Sequence, residues 1–112
     1  MKDYVHDLAK FSVGLRYDDL SPSVRIAAKN VIKDTIGAIV AGSRLPQNTK
    51  LANFVSGLST NGTSVVVGHK HKSQPMFAAL VNATAGVSLE LDEGTRLGGG
   101  HPAIHVLPGS LA

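Results

Sequence analysis

The residues best suited to chemistry are concentrated in positions 90–102, which read ELDEGTRLGGGHP. Three acids, Glu90, Asp92 and Glu93, lie within four positions and precede a run of three glycines and a His-Pro pair. Two neighbouring carboxylates raise each other's proton affinity, so one of them can be tuned for proton transfer. A solvated helix end without any chemistry would carry the same acids, and this alternative stays open.

The glycine run and the histidine after it add a flexible backbone and an imidazole. Gly98, Gly99 and Gly100 can adopt positive φ, and their N–H groups could cradle a carboxylate, although a flexible linker has the same composition. Pro102 biases His101 towards an extended conformation and is favoured at the first position of a helix. The pattern predicts an imidazole at a helix N-terminus, where the dipole disfavours its charged form. A histidine that only caps the helix is the alternative.

Metal and nucleotide sites have weaker support in the sequence. His101 and His105 are four residues apart, and His69 and His71 are two apart, which are spacings that metal sites use. No acid or third histidine stands at a supporting spacing, and there is no HExxH motif. Neither GxGxxG nor GxxxxGK[ST] is present, and the absence of cysteine excludes disulfides and thiolate sites. We therefore expect no metal and no cofactor.

The composition limits the class of protein. The length of 112 residues suits one domain, and the 43% of apolar residues with only 17% charged residues is too apolar for disorder. So low a charge indicates that a larger host protein, a partner chain carrying the rest of the fold or a second copy covers part of the surface. The formal net charge of +3 comes from dispersed basic residues, and the chain has five aromatic residues, so nucleic-acid binding is not expected.

The N-terminus lacks the features of a signal peptide, and no stretch approaches the ~20 apolar residues that span a bilayer. We expect a cytoplasmic, soluble protein without a membrane partner.

The elements that must position residues 90–102 are predicted to be helices. A first helix over 3–13 should stop at Gly14. The strongest helix signal begins at Ser21-Pro22, an N-cap followed by proline, and continues with apolar residues at spacings of three and four to Gly42. The end of this helix, GAIVAG, is apolar all round and is expected to be buried. A third helix is predicted over 49–58, followed by at most a minor β-hairpin near 63–68.

A fourth helix should deliver the acids. Ser73 is its expected cap, Pro75 lies in its first turn, and its apolar stripe extends to Leu91. The acids would then lie at the C-terminal end of this helix, with Glu90 and Glu93 on one helix face. The helix dipole is negative at that end and disfavours each carboxylate by ~0.3–1 kcal/mol. A placement against local preference suggests a function. A last helix could start within 103–107. The predicted fold is all-α and bundle-like, one domain over 1–112 that is cut off at its C-terminal end.

The order of these features resembles the N-terminal helical domain of the MmgE/PrpD family. The resemblance runs from about Leu15 to the end and includes YDDLSPSVRIAAKNVIKDTIGAIVAGS, SVVVG and FAALVNATAGVSLELDEGTRLGGGHPAIHVLPGSLA. Where many members read LDFDDT, this chain reads LELDEGT; some members have an LDDGH-like variant that is closer. Glu90 falls at the first aspartate of that motif, Asp92 matches the second and Glu93 replaces the third. The threonine of the family falls on Gly94 without a gap, or on Thr95 if the loop shifts by one.

The resemblance implies a cofactor-free enzyme acting on small di- or tricarboxylates. The family includes 2-methylcitrate dehydratases, cis-aconitate decarboxylases and iminodisuccinate epimerases, which remove a proton next to a carboxylate and then lose water or carbon dioxide, or reprotonate. His101 matches the family's active-site histidine. By this resemblance the catalytic residues are His101, Asp92, Glu90 and Thr95, and the substrate-binding residues are Glu93, Arg96, Gly99 and Gly100.

Dehydration of a 2-methylcitrate-like substrate is the activity expected first, with decarboxylation and epimerisation as alternatives within the enzyme hypothesis. Family members are several times longer, and their further basic and histidine residues and their smaller α/β lid domain follow the segment matched here. This chain is therefore expected to supply part of a site and to be inactive in isolation. A non-catalytic helical module or oligomerisation remnant is the alternative outside enzymology.

Overall fold

The computed structural model describes residues 3–58, 61–96 and 98–112. The chain is 66% helical. A short 3-10 helix, Tyr17–Asp19, precedes α2, and the two strands pair as one antiparallel hairpin. The predicted all-α class is confirmed. The elements in chain order are α1 (Tyr4–Gly14), α2 (Pro22–Gly42), α3 (Pro46–Leu58), β1 (Ser64–Val65), β2 (Lys72–Ser73), α4 (Pro75–Val87) and α5 (Pro102–Leu111).

The starts of the helices follow the capping signals. Ser21 accepts a hydrogen bond on its side-chain oxygen from the N–H of Val24 at 3.4 Å, and Pro22 opens α2 as predicted. α3 begins at Pro46, three residues before the predicted start, because proline is favoured in the first turn and did not break the chain there. α5 runs from Pro102 through an internal Pro108 to Leu111.

α4 is the central element of the packed part of the molecule. It packs against α2, α3, α5 and both strands. One buried cluster joins α3, the hairpin region and α4, and consists of Ala52, Val55, Val66, Ala78 and Val81. A second joins α2, α4 and α5 through Ile39, Ala85 and Ile104. The second cluster lies at the C-terminal end of α4. The chain continues from there into the segment that carries Glu90, Asp92 and Glu93, which we call the acidic loop.

The burial predicted for the GAIVAG end of α2 is only half correct. Ala38, Ile39 and Gly42 are buried, but Val40 and Gly37 are exposed. The reason is that α2 packs mainly against α4 and α5, which cover only part of its circumference. The apolar residues on the uncovered part remain in contact with solvent.

The hairpin differs from the prediction. β1 falls within 63–68, but its partner β2 is Lys72–Ser73, and Ser73 pairs with Ser64 instead of capping α4, whose N-cap is Gln74. Asn82 of α4 explains this arrangement, because its side chain accepts the N–H of Val67 at 2.9 Å and donates to the carbonyl of Val65 at 3.0 Å. A tertiary contact therefore holds β1 in place, and no local pattern reports it.

α1 lies outside the packed part. Asp3 caps it by accepting the N–H of His6 at 3.1 Å, and none of its residues is buried. Its apolar stripe, which includes Tyr4, Leu8 and Phe11, is exposed to solvent. Among the helices in the described ranges, none is both long enough and apolar enough to cross a bilayer.

Candidate functional site

The acids do not lie on α4. The helix ends at Val87 with Ser88 as its C-cap, and Glu90 adopts a left-handed φ of 52°. A residue in that conformation just after a helix directs the chain away from the helix axis. The predicted shared helix face of Glu90 and Glu93 is therefore wrong, and so is their placement on the last turn. No glycine marks this helix end, so the sequence pattern did not indicate it.

The start of the acidic loop is fixed by a buried asparagine that the sequence analysis did not identify. Asn48 of α3 donates from its side-chain nitrogen to the carbonyl of Gly42 and to the side-chain oxygen of Ser88, both at 2.8 Å. Ser88 in turn donates to the carbonyl of Thr84 at 2.6 Å. The ends of α2 and α4 and the start of α3 are thereby joined at one point. The loop leaves from a rigid position.

The glycine loop closes on itself. The N–H of Thr95 donates to the carbonyl of Gly100, and the N–H of Gly99 donates to the carbonyl of Thr95, both at 3.0 Å. Gly99 and Gly100 have φ of 64° and 98°, a region that is unfavourable for other residues, whereas Gly98 does not have a positive φ. The N–H of Gly99 is already donated, so in this conformation it is not free to hold an anion.

His101 occupies the predicted position and contacts Asp92. It is the N-cap residue of α5, with Pro102 at the first helical position. Its Nδ1 lies 3.1 Å from Oδ2 of Asp92 and 3.3 Å from the backbone carbonyl oxygen of Asp92. The Asp92 side chain is 2% exposed and the His101 side chain 41% exposed. A shielded carboxylate thus stands behind an imidazole that a ligand can reach.

The contact determines which ring nitrogen is available for chemistry. A carboxylate and a carbonyl only accept hydrogen bonds, so Nδ1 carries the proton and Nε2 of the neutral ring keeps its lone pair. The aligned hydrogen bond goes to the carbonyl, and both carboxylate oxygens of Asp92 are buried without a hydrogen-bond partner among the described residues. Buried unpaired polar groups are rare in native proteins and occur at functional sites.

Glu93 connects the acidic loop to α5. Its Oε1 accepts the N–H of Ala103 at 3.2 Å, while its Oε2 is buried without a hydrogen-bond partner in the described ranges. The structure therefore brings Asp92, Glu93 and His101 together.

The other predicted site residues lie at the edge of this group. Thr95 is partly buried, and its backbone closes the glycine loop. Glu90 and Arg96 are exposed, and within the described part of the chain their side chains make no hydrogen bond or ion pair. They are thus available to a ligand but are not positioned by this chain.

Two grooves flank the site without including it. A cavity of about 540 Å³ follows α2 and reaches Leu91, next to Asp92; it is lined by Asn30, Lys33, Asp34, Gly37, Ala38, Ala41 and Leu91. An apolar cavity of about 430 Å³ lies between α2 and α5, lined by Ala28, Val31, Ile32, Ala103, Val106, Leu107 and Ser110. Neither is lined by His101.

The second histidine pair lies in the hairpin region. The rings of His69 and His71 are 5.5 Å apart, and Nε2 of each is buried without a hydrogen-bond partner among the described residues. Burial lowers the pKa of His69, and the charges of His71 and Arg44 lower it further. Within the described ranges, no group of three or more histidine, cysteine or acidic residues could hold a metal ion.

Comparisons with known proteins point to one family. A sequence profile described as the MmgE/PrpD N-terminal domain matches residues 6–112. The cis-aconitate decarboxylase of Aspergillus terreus is 28% identical over 106 residues, which are 95% of this chain and 22% of that protein. The cis-aconitate decarboxylase-like protein oryM of Aspergillus oryzae is 26% identical over 106 residues, with the same shares. The chain spans about a fifth of the length of these curated relatives.

Proposed function

The chain belongs to the MmgE/PrpD family, and from this premise we propose that it supplies the acidic loop and the histidine of a lyase-type active site. The substrate is a small di- or tricarboxylate, handled without a metal or nucleotide. The single observation that carries this proposal is the 3.1 Å contact between the shielded carboxylate of Asp92 and the partly exposed imidazole of His101. An imidazole oriented by a buried carboxylate is suited to general acid–base catalysis.

The roles follow from burial and charge. The backbone carbonyl of Asp92 accepts Nδ1–H of His101, the carboxylate lies 3.1 Å from the same nitrogen, and Nε2 exchanges a proton with the substrate. Arg96 is an exposed cation in the same loop without a partner in the described ranges, so it is suited to bind a substrate carboxylate. Glu90 and Thr95 are further candidate proton-transfer groups beside the loop. The remaining groups of the site come from outside this chain, which spans only about a fifth of its curated relatives.

Two reactions are supported for different reasons. The sequence resemblance places dehydration of a 2-methylcitrate-like substrate first. Neutral His101 removes a proton from the carbon next to a carboxylate, and the electron pair left behind forms the double bond as the C–O bond breaks. The departing hydroxide takes up a proton and leaves as water, and His101 returns its own proton to solvent. The names of the relatives support decarboxylation of cis-aconitate. In that decarboxylation the C–C bond to the departing carbon dioxide breaks, and its electron pair forms a new C=C double bond. The old double bond then takes a proton at its far carbon, and His101 delivers that proton from Nε2 after taking one up from solvent. In an epimerisation, the carbon that lost its proton would be reprotonated on the opposite face of the substrate.

We further propose that the partner covering this chain is a second copy or a polypeptide carrying the rest of the enzyme, in the cytoplasm. The alternative function is a non-catalytic helical module. One observation favours the alternative, because neither groove is lined by His101. The two hypotheses differ in what the histidine does once the rest of the fold is present.

The test combines the chain with the downstream remainder of a family enzyme, in one polypeptide or as a second chain. The assay offers 2-methylcitrate, cis-aconitate and iminodisuccinate. We expect turnover of one substrate and a decrease of about 10²–10⁴-fold in kcat for His101→Ala, because a general acid–base group contributes that much. His105→Ala is the matched control, since His105 is exposed on α5 four residues later. It should retain the rate of the unsubstituted protein. The 112-residue chain alone should turn over none of the three.

Equal rates for His101→Ala and His105→Ala would contradict the role of His101. Turnover by the isolated chain would contradict the incomplete site. No turnover of any substrate by the completed protein would favour the non-catalytic module.

A further inference from the structure

We infer that Glu93 is a positioning residue that fixes His101 against Asp92, and not a ligand of the substrate. This inference rests on the proposed function for its catalytic meaning. Its structural part concerns only this chain, so it can be tested without turnover. Three observations carry it: the missing side-chain cap of α5, the arrangement of contacts on both sides of Pro102, and the surroundings of the two carboxylate oxygens.

α5 lacks a cap from its own N-cap residue. The side chain of His101 makes no capping hydrogen bond, and Pro102 has no N–H to satisfy. The first free N–H of the helix is therefore that of Ala103, and it donates to Oε1 of Glu93 at 3.2 Å. A carboxylate that accepts such an N–H stabilises a helix start, and its negative charge suits the positive end of the dipole. Glu93 performs the capping role from ten residues away.

Asp92 and Glu93 contact the residues directly before and after Pro102. Asp92 contacts Nδ1 of His101 through its carboxylate and its backbone carbonyl, and the next residue, Glu93, holds the N–H of Ala103. Along the chain, Asp92 and Glu93 are connected to His101 and Ala103 through the exposed glycines 98–100, two of which have positive φ. The backbone hydrogen bond between Thr95 and Gly100 closes this loop but does not reach α5 itself. The hydrogen bond of Glu93 therefore joins the contact between His101 and Asp92 in keeping the start of α5 at the acidic loop.

The surroundings of Glu93 also oppose a role in binding substrate. The proposed substrates are di- or tricarboxylates, and a carboxylate repels another anion. Oε1 is already committed to Ala103, and Oε2 is buried. The neighbouring exposed cation is Arg96, which is the better ligand for an anion. The charge of Glu93 faces the helix start instead.

The first arm of the test measures amide hydrogen exchange in the 112-residue chain. In Glu93→Ala the N–H of Ala103 should exchange about fivefold faster than in the unsubstituted chain, the loss expected for one hydrogen bond. Glu93→Gln keeps an acceptor oxygen at the same reach and should restore protection. Glu90→Gln is the control, because it removes an exposed charge of the same loop without touching α5. It should leave the exchange of Ala103 unchanged.

Equal exchange of Ala103 in Glu93→Ala and in the unsubstituted chain would overturn the inference. If Glu93→Ala loses helical content by circular dichroism, Glu93→Gln carries the test: protection retained supports the inference, and protection lost overturns it.

The second arm measures kinetics in the protein completed by the downstream remainder. A positioning role predicts that Glu93→Ala lowers kcat by about 10–100-fold with KM unchanged, because misplacing a catalytic group affects the chemical step. Glu93→Gln should recover most of kcat. A raised KM with kcat unchanged would indicate substrate binding and overturn the inference. If no substrate is turned over, the proposed function fails, and the exchange arm still decides the position of Glu93.

Discussion

Asp92 is the residue at which stability and chemistry oppose each other most clearly. Its carboxylate is buried, and neither oxygen has an aligned hydrogen bond within the described part of the chain. A buried charge without full compensation destabilises the folded state, so a neutral side chain of the same shape should be tolerated better. A group retained in such a position is best explained by its contact with His101.

We expect Asp92→Asn to raise the unfolding free energy by about 1 kcal/mol, or Tm by roughly 4–8 °C, and to abolish most activity of the completed protein. The asparagine places no negative charge beside the His101 ring, so the cationic ring that forms when His101 takes the substrate proton is less stabilised. Thermal unfolding and the substrate assay check the two parts. Asp34→Asn, a change at an exposed acid of α2, should alter neither stability nor rate much. A lower Tm for Asp92→Asn would show that the charge stabilises the fold.

At the scale of elements, the site depends on how closely α2, α4 and α5 approach one another. A Cβ on Gly42 would lie 1.9 Å from the carbonyl oxygen of Ala85, so the end of α2 lies directly against the backbone of α4. Gly86 similarly leaves room for Ile104 and Ile39. These two glycines lie where α4 ends and the acidic loop begins.

Gly42→Ala should destabilise the chain by about 2–3 kcal/mol, because the backbone atoms of α4 can move away only if the helices separate. Gly37→Ala is the matched control on the same helix: a Cβ there meets nothing within 4 Å. That change should stabilise the chain by about 0.5–1 kcal/mol by reducing the entropy of the unfolded state. Urea unfolding of both variants measures the difference. Similar unfolding free energies for the two would contradict the close approach of α2 and α4.

At the scale of the whole molecule, too much surface is exposed for a free-standing monomer. The chain exposes 7925 Å², whereas a folded monomer of 11.6 kDa exposes about 5,800 Å². The radius of gyration is 16.3 Å, compared with about 13 Å for a compact domain of this length. The excess of about 2,000 Å² is on one chain; an interface that covered it would bury about 4,000 Å² over both partners, the size of an obligate interface. The exposed stripe of α1 is one contributor, since no residue of that helix is buried.

We expect the isolated chain to self-associate at micromolar concentration and to bind hydrophobic dyes. Replacing Leu8 and Phe11 of α1 together by aspartate should weaken both effects without loss of helical packing, because neither side chain is buried in the chain itself. Lys10→Asp tests whether charge alone causes the change, since it alters the charge of the same helix without removing an apolar side chain. Sedimentation and dye fluorescence are the measurements. If the unsubstituted chain is a monomer that binds little dye, the proposal that a partner covers its exposed apolar surface is contradicted.

The sequence by itself determined the elements whose signals are local. The serine and proline at 21–22 start α2, the proline at 102 starts α5, and the positive φ of Gly99 and Gly100 follows from the missing side chain. Capping and backbone sterics act within a few residues, so such features can be predicted from spacing. The family match also follows from the linear order of motifs.

The tertiary structure decided which of the three acids contact the start of α5. Asp92 and Glu93 contact the start of α5, and Glu90 remains exposed, although all three are acids in one short stretch. The end of α4 is tied to α3 by Asn48 and Ser88, which are 40 residues apart in the chain. Burial and hydrogen bonds between such distant residues depend on how the helices pack against each other. A pattern of neighbouring residues contains no information about that packing.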